Sequence, residues 1–211
     1  MSTLPARPTP PPRDDRPMPA WEIAYLFPPQ GQWSEEEYLS LRGNRLVEFS
    51  DGNVEVLPMA TEIHQLIVAH LYGLLLAFAR AHDLGTVLFA PLPIHLRPGK
   101  YREPDVFFMR KENAHRRHND FWEGADLAIE VVSEDDPQRD LSTKRNEYAH
   151  AGIPEYWIVD PRRREITVLT LAGDRYEDNG PYRPGQQAPS KLLPGFTVDA
   201  AHVFAAGEAN R

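Results

Sequence analysis

The sequence contains no cysteine among its 211 residues. Disulfides, thiolate metal sites and cysteine nucleophiles are therefore excluded, which narrows any bound metal to one that takes oxygen ligands. Positive charge is also scarce: 23 Lys+Arg against 31 Asp+Glu give a net charge of −8 and a pI near 5.5. That balance argues against a surface coated in cations for sequence-independent nucleic-acid binding, while leaving room for a local basic groove. Long apolar runs are missing too. The longest, Leu66 to Ala79, is interrupted by His70 and Gly73 and falls short of the ~20 residues that span a membrane. No apolar h-region stands near the N-terminus, so the expectation is a soluble, cytoplasmic protein. Nor is there a G-x-S-x-G, an H-E-x-x-H or a Gly-rich phosphate loop.

What is present suits one globular domain. Hydrophobic residues make up 41% and charged residues 26%, which rules out a wholly disordered chain. Proline is in excess, 21 of 211, about twice the usual ~5%. Seven of these lie in the first nineteen residues, where fixed φ and missing N–H groups favour an extended polyproline-like segment. The expected organisation is a disordered Pro-rich leader over 1–20, a single domain over 21–205 and a flexible tail over 206–211.

Ser34-Glu35-Glu36-Glu37 is a capping box that opens a short helix through Leu41. Arg45–Phe49 and Val54–Leu57 flank Asp51-Gly52, a hairpin signal. Thr61 to about His82 reads as the one long helix, with Gly85 just beyond its end. Strands are expected at 86–89, 93–96, 105–109, 126–132, 155–159, 165–171 and 197–204, with a helix over 140–151 stopped by Gly152 and Pro154. The strand–helix–strand unit from Asp126 to Val159 is long enough for a crossover, making its two strands parallel. The fold class is therefore α/β with a mixed sheet.

Three charges interrupt apolar patterns. In Asp126-Leu-Ala-Ile-Glu-Val-Val132, only Glu130 between the ends is polar, and it shares a strand face with Ala128 and Val132. A carboxylate there costs roughly 1–5 kcal/mol unless it is paired, protonated or metal-bound. Asp105, in Glu103-Pro-Asp-Val-Phe-Phe108, stands at the head of another apolar strand. Lys144 lies on the helix after Glu130, ~60° from the face shared by Leu141 and Tyr148, with Asp140 and Tyr148 as its i−4 and i+4 neighbours. Two carboxylates and an ammonium in one pocket suit Mg²⁺- or Mn²⁺-assisted phosphodiester hydrolysis.

Glu103-Pro-Asp-Val-Phe-Phe108, Leu127-Ala-Ile-Glu-Val-Val-Ser133, the Asp140…Lys144…Tyr148 helix and Ala151-Gly-Ile-Pro-Glu-Tyr-Trp-Ile-Val-Asp-Pro161 resemble a bacterial "putative restriction endonuclease" family of the PD-(D/E)xK superfamily. The resemblance covers nearly all of Leu46 to Leu171. It implies a restriction-endonuclease-like core, a mixed central sheet flanked by helices with the site at the sheet's edge. It also implies that Asp105, Glu130 and the Val131 carbonyl hold the metal. The superfamily lysine position, two residues after Glu130, is Val132 here; in the family resembled, the following helix supplies the lysine, which is Lys144. An added acidic residue is implied at Glu48 or, ranked lower, Glu62, and a helix-start histidine at His64.

The leading expectation is a metal-dependent endonuclease acting on DNA, for which a homodimer would suit the cutting of two strands, with Asp105, Glu130 and Lys144 catalytic and Glu48, His64, Asp140 and Tyr148 supporting. Its rival is a non-catalytic module that binds nucleic acid or protein on the same fold; hydrolysis of another phosphate ester is a third. Arg97 to His118 holds seven Lys/Arg against three Asp/Glu, a strip that would suit either a phosphate backbone or a solvated loop. Arg162-Arg163-Arg164 carries the same two readings. His115 and His118 sit in that polar strip with no third ligand apparent.

Overall fold

The computed structural model describes residues 27–41, 46–133 and 136–208. Its first layer grows from the Asp51-Gly52 hairpin. Both turn residues have positive φ, 48° and 83°, as a two-residue turn matched to strand twist requires. They join β1 (Val47–Ser50) to β2 (Asn53–Val56) with Ser50 opposite Asn53. β4 (Ile94–Arg97), β5 (Lys100–Arg102) and β7 (Trp122–Glu123) complete a five-stranded sheet of order β2-β1-β5-β4-β7. Helix α1 (Glu35–Leu39) opens with both halves of the capping box at Ser34 and Glu37. It sets Tyr38 against Phe49 and Tyr101, each ring centroid 5.3 Å away.

The main layer is a six-stranded mixed sheet of order β11-β10-β9-β8-β6-β3. It comprises β3 (Gly85–Phe89), β6 (Val106–Arg110), β8 (Leu127–Val131), β9 (Glu155–Asp160), β10 (Glu165–Ala172) and β11 (Arg175–Tyr182). β8 and β9 run parallel and the other neighbours antiparallel, which is the crossover expected from the sequence. Alternation along β8 feeds two cores. Leu127, Ile129 and Val131 pack with Ile67, Leu71 and Leu75 of α2 (Glu62–Ala81). Ala128 and Val132 pack with Tyr148 and Tyr156. The crossover itself is a π-turn, Arg139–Lys144, running into α3 (Arg145–His150), and Gly152 at φ 74° follows its end.

Five sequence expectations are corrected. Thr197–Phe204 is not one strand: β13 (Thr197–Asp199), paired with β12 (Gln187–Pro189), hands over to α4 (Ala200–Glu208). Residues 206–208, assigned to the tail, form that helix's last turn. Gly85 does not cap α2 but opens β3, where a Cβ would lie 2.1 Å from the Met109 carbonyl oxygen. α2 is 20 residues long with an 18-residue window at mean hydropathy 1.4, so by length and composition alone it is long and apolar enough to cross a membrane, a test that a core helix such as this one also passes. The Arg97–His118 strip is not a free basic track, because Lys100 and Arg102 are buried against Glu147 and Arg97 pairs with Asp51. The expected leader, Arg45 and residues 209–211 lie outside the described residues.

Candidate active site

Antiparallel pairing sets Val106 of β6 opposite Ile129 of β8, and continuing that register by one residue brings Asp105 across from Glu130. Asp105 sits just before β6, where Pro104 has ended the preceding chain. Its Oδ2 accepts the Val131 N–H at 2.8 Å and lies 3.2 Å from His64 Nε2. His64 is delivered by the first turn of α2, whose start is fixed by Thr61: the threonine Oγ1 accepts the His64 N–H at 3.2 Å. Burial works against protonating His64, but the Asp105 carboxylate outweighs it and raises the imidazole pKa.

Glu130 is 2% exposed. The Tyr148 hydroxyl donates to its Oε1 at 2.6 Å, and Lys144 Nζ stands 2.9 Å from the same oxygen. The π-turn winds more widely than the α-helix assumed from sequence. Its last residue, Lys144, is turned fully inward, 3% exposed. Lys144 Nζ also lies 3.3 Å from Asp140 Oδ1 and 3.6 Å from Glu48 Oε1. Burial opposes the lysine charge, but Glu130, Glu48 and Asp140 outweigh it and hold its pKa above the usual lysine range. Burial, helped by Asp105 and Asp140, pushes Glu130 up to about 8 against the pull of Lys144 and Tyr148.

Glu48 of β1 is fully buried. Its Oε2 faces Arg102 Nη1 at 3.1 Å and accepts from Arg139 Nη2, while its Oε1 accepts the Glu103 N–H at 3.2 Å. Burial raises its pKa, yet Lys144, Arg102 and Arg139 prevail and lower it. Arg102 also grips Glu147 through Nε and Nη2, at 2.7 and 2.9 Å. Beside it, burial and then Glu48 push Glu103 up to about 8. Arg102, Arg139, Glu103 and Glu147 were not singled out in the sequence. Glu62 lies at the cleft wall rather than inside this cluster, and His118 pairs with Glu123 at 3.0 Å.

These side chains open onto a cleft of about 530 Å³ lined by Asp105, Glu130, Val131, Asp140, Lys144 and His64 among others. No three His, Asp or Glu side chains among the described residues are spaced to hold a metal between them. The oxygen set offered is instead two carboxylates and the backbone of Val131. Asp105 Oδ1 and Glu130 Oε2 accept no hydrogen bond among the described residues, whereas their partner oxygens do. Hard, unengaged oxygens on adjoining strands fit Mg²⁺ or Mn²⁺.

The family profile described as "Uma2: Putative restriction endonuclease" matches residues 35–201. The chain belongs to this family. Among solved structures, the Uma2 chain is similar to a "putative nuclease belonging to DUF820" from Anabaena variabilis ATCC 29413, with a TM-score of 0.69 at 16% identity. The match covers 83% of this chain and 99% of that one. At that identity the likeness carries the fold, which is restriction-endonuclease-like. Family and fold together support nuclease function in general. A comparison with functionally curated proteins gave no match.

Proposed function

We propose that this Uma2 protein is a divalent-metal-dependent endonuclease of the PD-(D/E)xK type that hydrolyses DNA phosphodiester bonds. One observation carries the reading: Asp105 and Glu130 stand across adjoining strands in one cleft, with the Lys144 ammonium 2.9 Å from Glu130. Asp105, Glu130 and the Val131 carbonyl would hold Mg²⁺ or Mn²⁺. When bound, the ion would supply a Lewis acid for the phosphoryl oxygen and lower the pKa of water.

The chain's own groups divide the remaining work. The Val131 N–H and His64 fix the Asp105 carboxylate through Oδ2, leaving Oδ1 for a ligand. Tyr148 fixes Glu130 in the same way. Lys144, whose carboxylate neighbours favour the ammonium form, stabilises negative charge developing on the phosphoryl group.

The test pairs cutting with metal binding. Wild-type protein should cut DNA with Mg²⁺ or Mn²⁺, and Asp105→Asn, Glu130→Gln and Lys144→Met should each lower the rate by about 10²-fold or more. Calorimetry should show weakened Mn²⁺ binding for Asp105→Asn and Glu130→Gln. Equal cutting by all four proteins would overturn the proposal, as would wild-type DNA binding without metal binding.

A further inference from the structure

We infer that the outward face of α2 is a dimer interface, packed antiparallel against α2 of a second copy of this chain. This contact is independent of the nuclease reading, and neither cutting nor metal binding enters its test. Ile67, Leu71 and Leu75 turn one side of α2 into the core. On the opposite side Gln65, Ala69, Gly73 and Ala77 are exposed and Leu66 and Leu76 half-buried among the described residues. A helix side that faces water is normally charged or polar. Of these six residues only Gln65 is polar and none is charged. Tyr72 and the half-exposed Phe89, their ring centroids 4.8 Å apart, widen the strip on one flank.

The charges at its ends identify the occupant. Histidines aside, α2 carries only Glu62 in its first turn and Arg80 in its last. They stand eighteen residues apart, about five turns at 3.6 residues per turn, so both lie on the same outward line. Both are exposed, and neither has an ion-pair partner among the described residues. The helix dipole favours an acid at the N-terminus and a base at the C-terminus, but it is indifferent to which face carries them.

A twofold axis crossing α2 at the level of Leu71 accounts for the face as well. It pairs positions equally far before and after Leu71: Glu62 with Arg80, Leu66 with Leu76, and Ala69 with Gly73. An isologous contact requires this self-complementarity. Each end then gains an opposite-charge pair around an apolar middle. Parallel packing would instead set like charges together, and a lipid surface offers the Glu62 carboxylate nothing. The face is about 30 Å long, which places the contact at the small end of specific interfaces and the expected Kd in the micromolar range.

The experiment follows the full-length protein by sedimentation velocity over about 1–100 µM. Wild type should pass from the 24.0 kDa chain to twice that mass. Ala69→Glu, which sets two carboxylates beside the axis, should weaken association by about 100-fold or more. Its Tm at the lowest concentration should match wild type, because Ala69 is exposed. Glu62→Arg and Arg80→Glu should each weaken association by roughly tenfold. An equimolar mixture of those two variants, in which every pair across the axis is again opposite in sign, should recover the wild-type Kd. A wild type that stays monomeric throughout overturns the inference. So does a dimer indifferent to Ala69→Glu, or one whose charge variants fail to rescue each other. A monomer that floats with phosphatidylglycerol vesicles, and no longer does so as Ala69→Glu, also overturns it and assigns the face to lipid.

Discussion

Glu48 shows how one residue holds the site together. It has no access to water, and two guanidinium groups, a backbone N–H and the Lys144 ammonium surround its two oxygens. Removing one member of a buried ion pair leaves uncompensated charge, at a cost of about 3–5 kcal/mol. Glu48→Gln should therefore destabilise the protein by roughly that amount at neutral pH. The sign with pH follows from the lowered pKa. A carboxylate depressed in the folded state contributes stability above its unfolded pKa and loses it as pH falls through the folded value. The Tm gap between wild type and Glu48→Gln should thus be widest near neutrality and close in acid; a gap independent of pH would contradict it. Glu130 and Lys144 were legible in the sequence because each breaks an apolar pattern. Arg139 was not, because its partner Glu48 lies 91 residues away and nothing local marks the pair.

At the scale of elements, two glycines make opposite forecasts. At Gly85, where β3 begins, a Cβ would lie 2.1 Å from the Met109 carbonyl oxygen and 2.9 Å from the Arg110 Cα. Backbone on the neighbouring strand cannot yield cheaply, so Gly85→Ala should cost about 1–3 kcal/mol in thermal unfolding. Gly73, on the exposed side of α2, has no heavy atom within 4 Å of its added Cβ, and Gly73→Ala should stabilise by about 0.5–1 kcal/mol. Equal effects would mean that close packing at β3 is not what selects glycine there. Elements with strong periodicity or a named cap were legible: α2, the hairpin, β8 and β9. β11 escaped because Arg175–Tyr182 is a polar sheet-edge strand whose Asn-Gly-Pro resembles a turn, and proline is tolerated at such an edge. α4 escaped because its short apolar run fits either period. The Lys144 helix was found with the wrong pitch, since residue types alone do not distinguish a π-turn from an α-turn.

For the whole molecule, charge decides the order in which ligands arrive. A net charge of −8 repels a polyanion at long range, and above pH 8, where Glu103 and Glu130 are also ionised, the cleft repeats that sign locally, with seven Asp and Glu against four Lys and Arg along its lining. A protein that binds DNA through a basic face loses affinity as Mg²⁺ is added, because the cation competes for phosphate. This cleft predicts the reverse. Divalent cation should enter first, cancel part of the carboxylate charge and only then admit phosphate. At constant ionic strength, DNA affinity measured by anisotropy should rise by about tenfold between chelator and saturating Mg²⁺. Measured above pH 8, where Glu130 is ionised, Glu130→Gln should shrink that rise while improving binding in chelator. Affinity that falls with added Mg²⁺ would assign DNA binding to a basic surface elsewhere and separate it from the Asp105–Glu130 cleft.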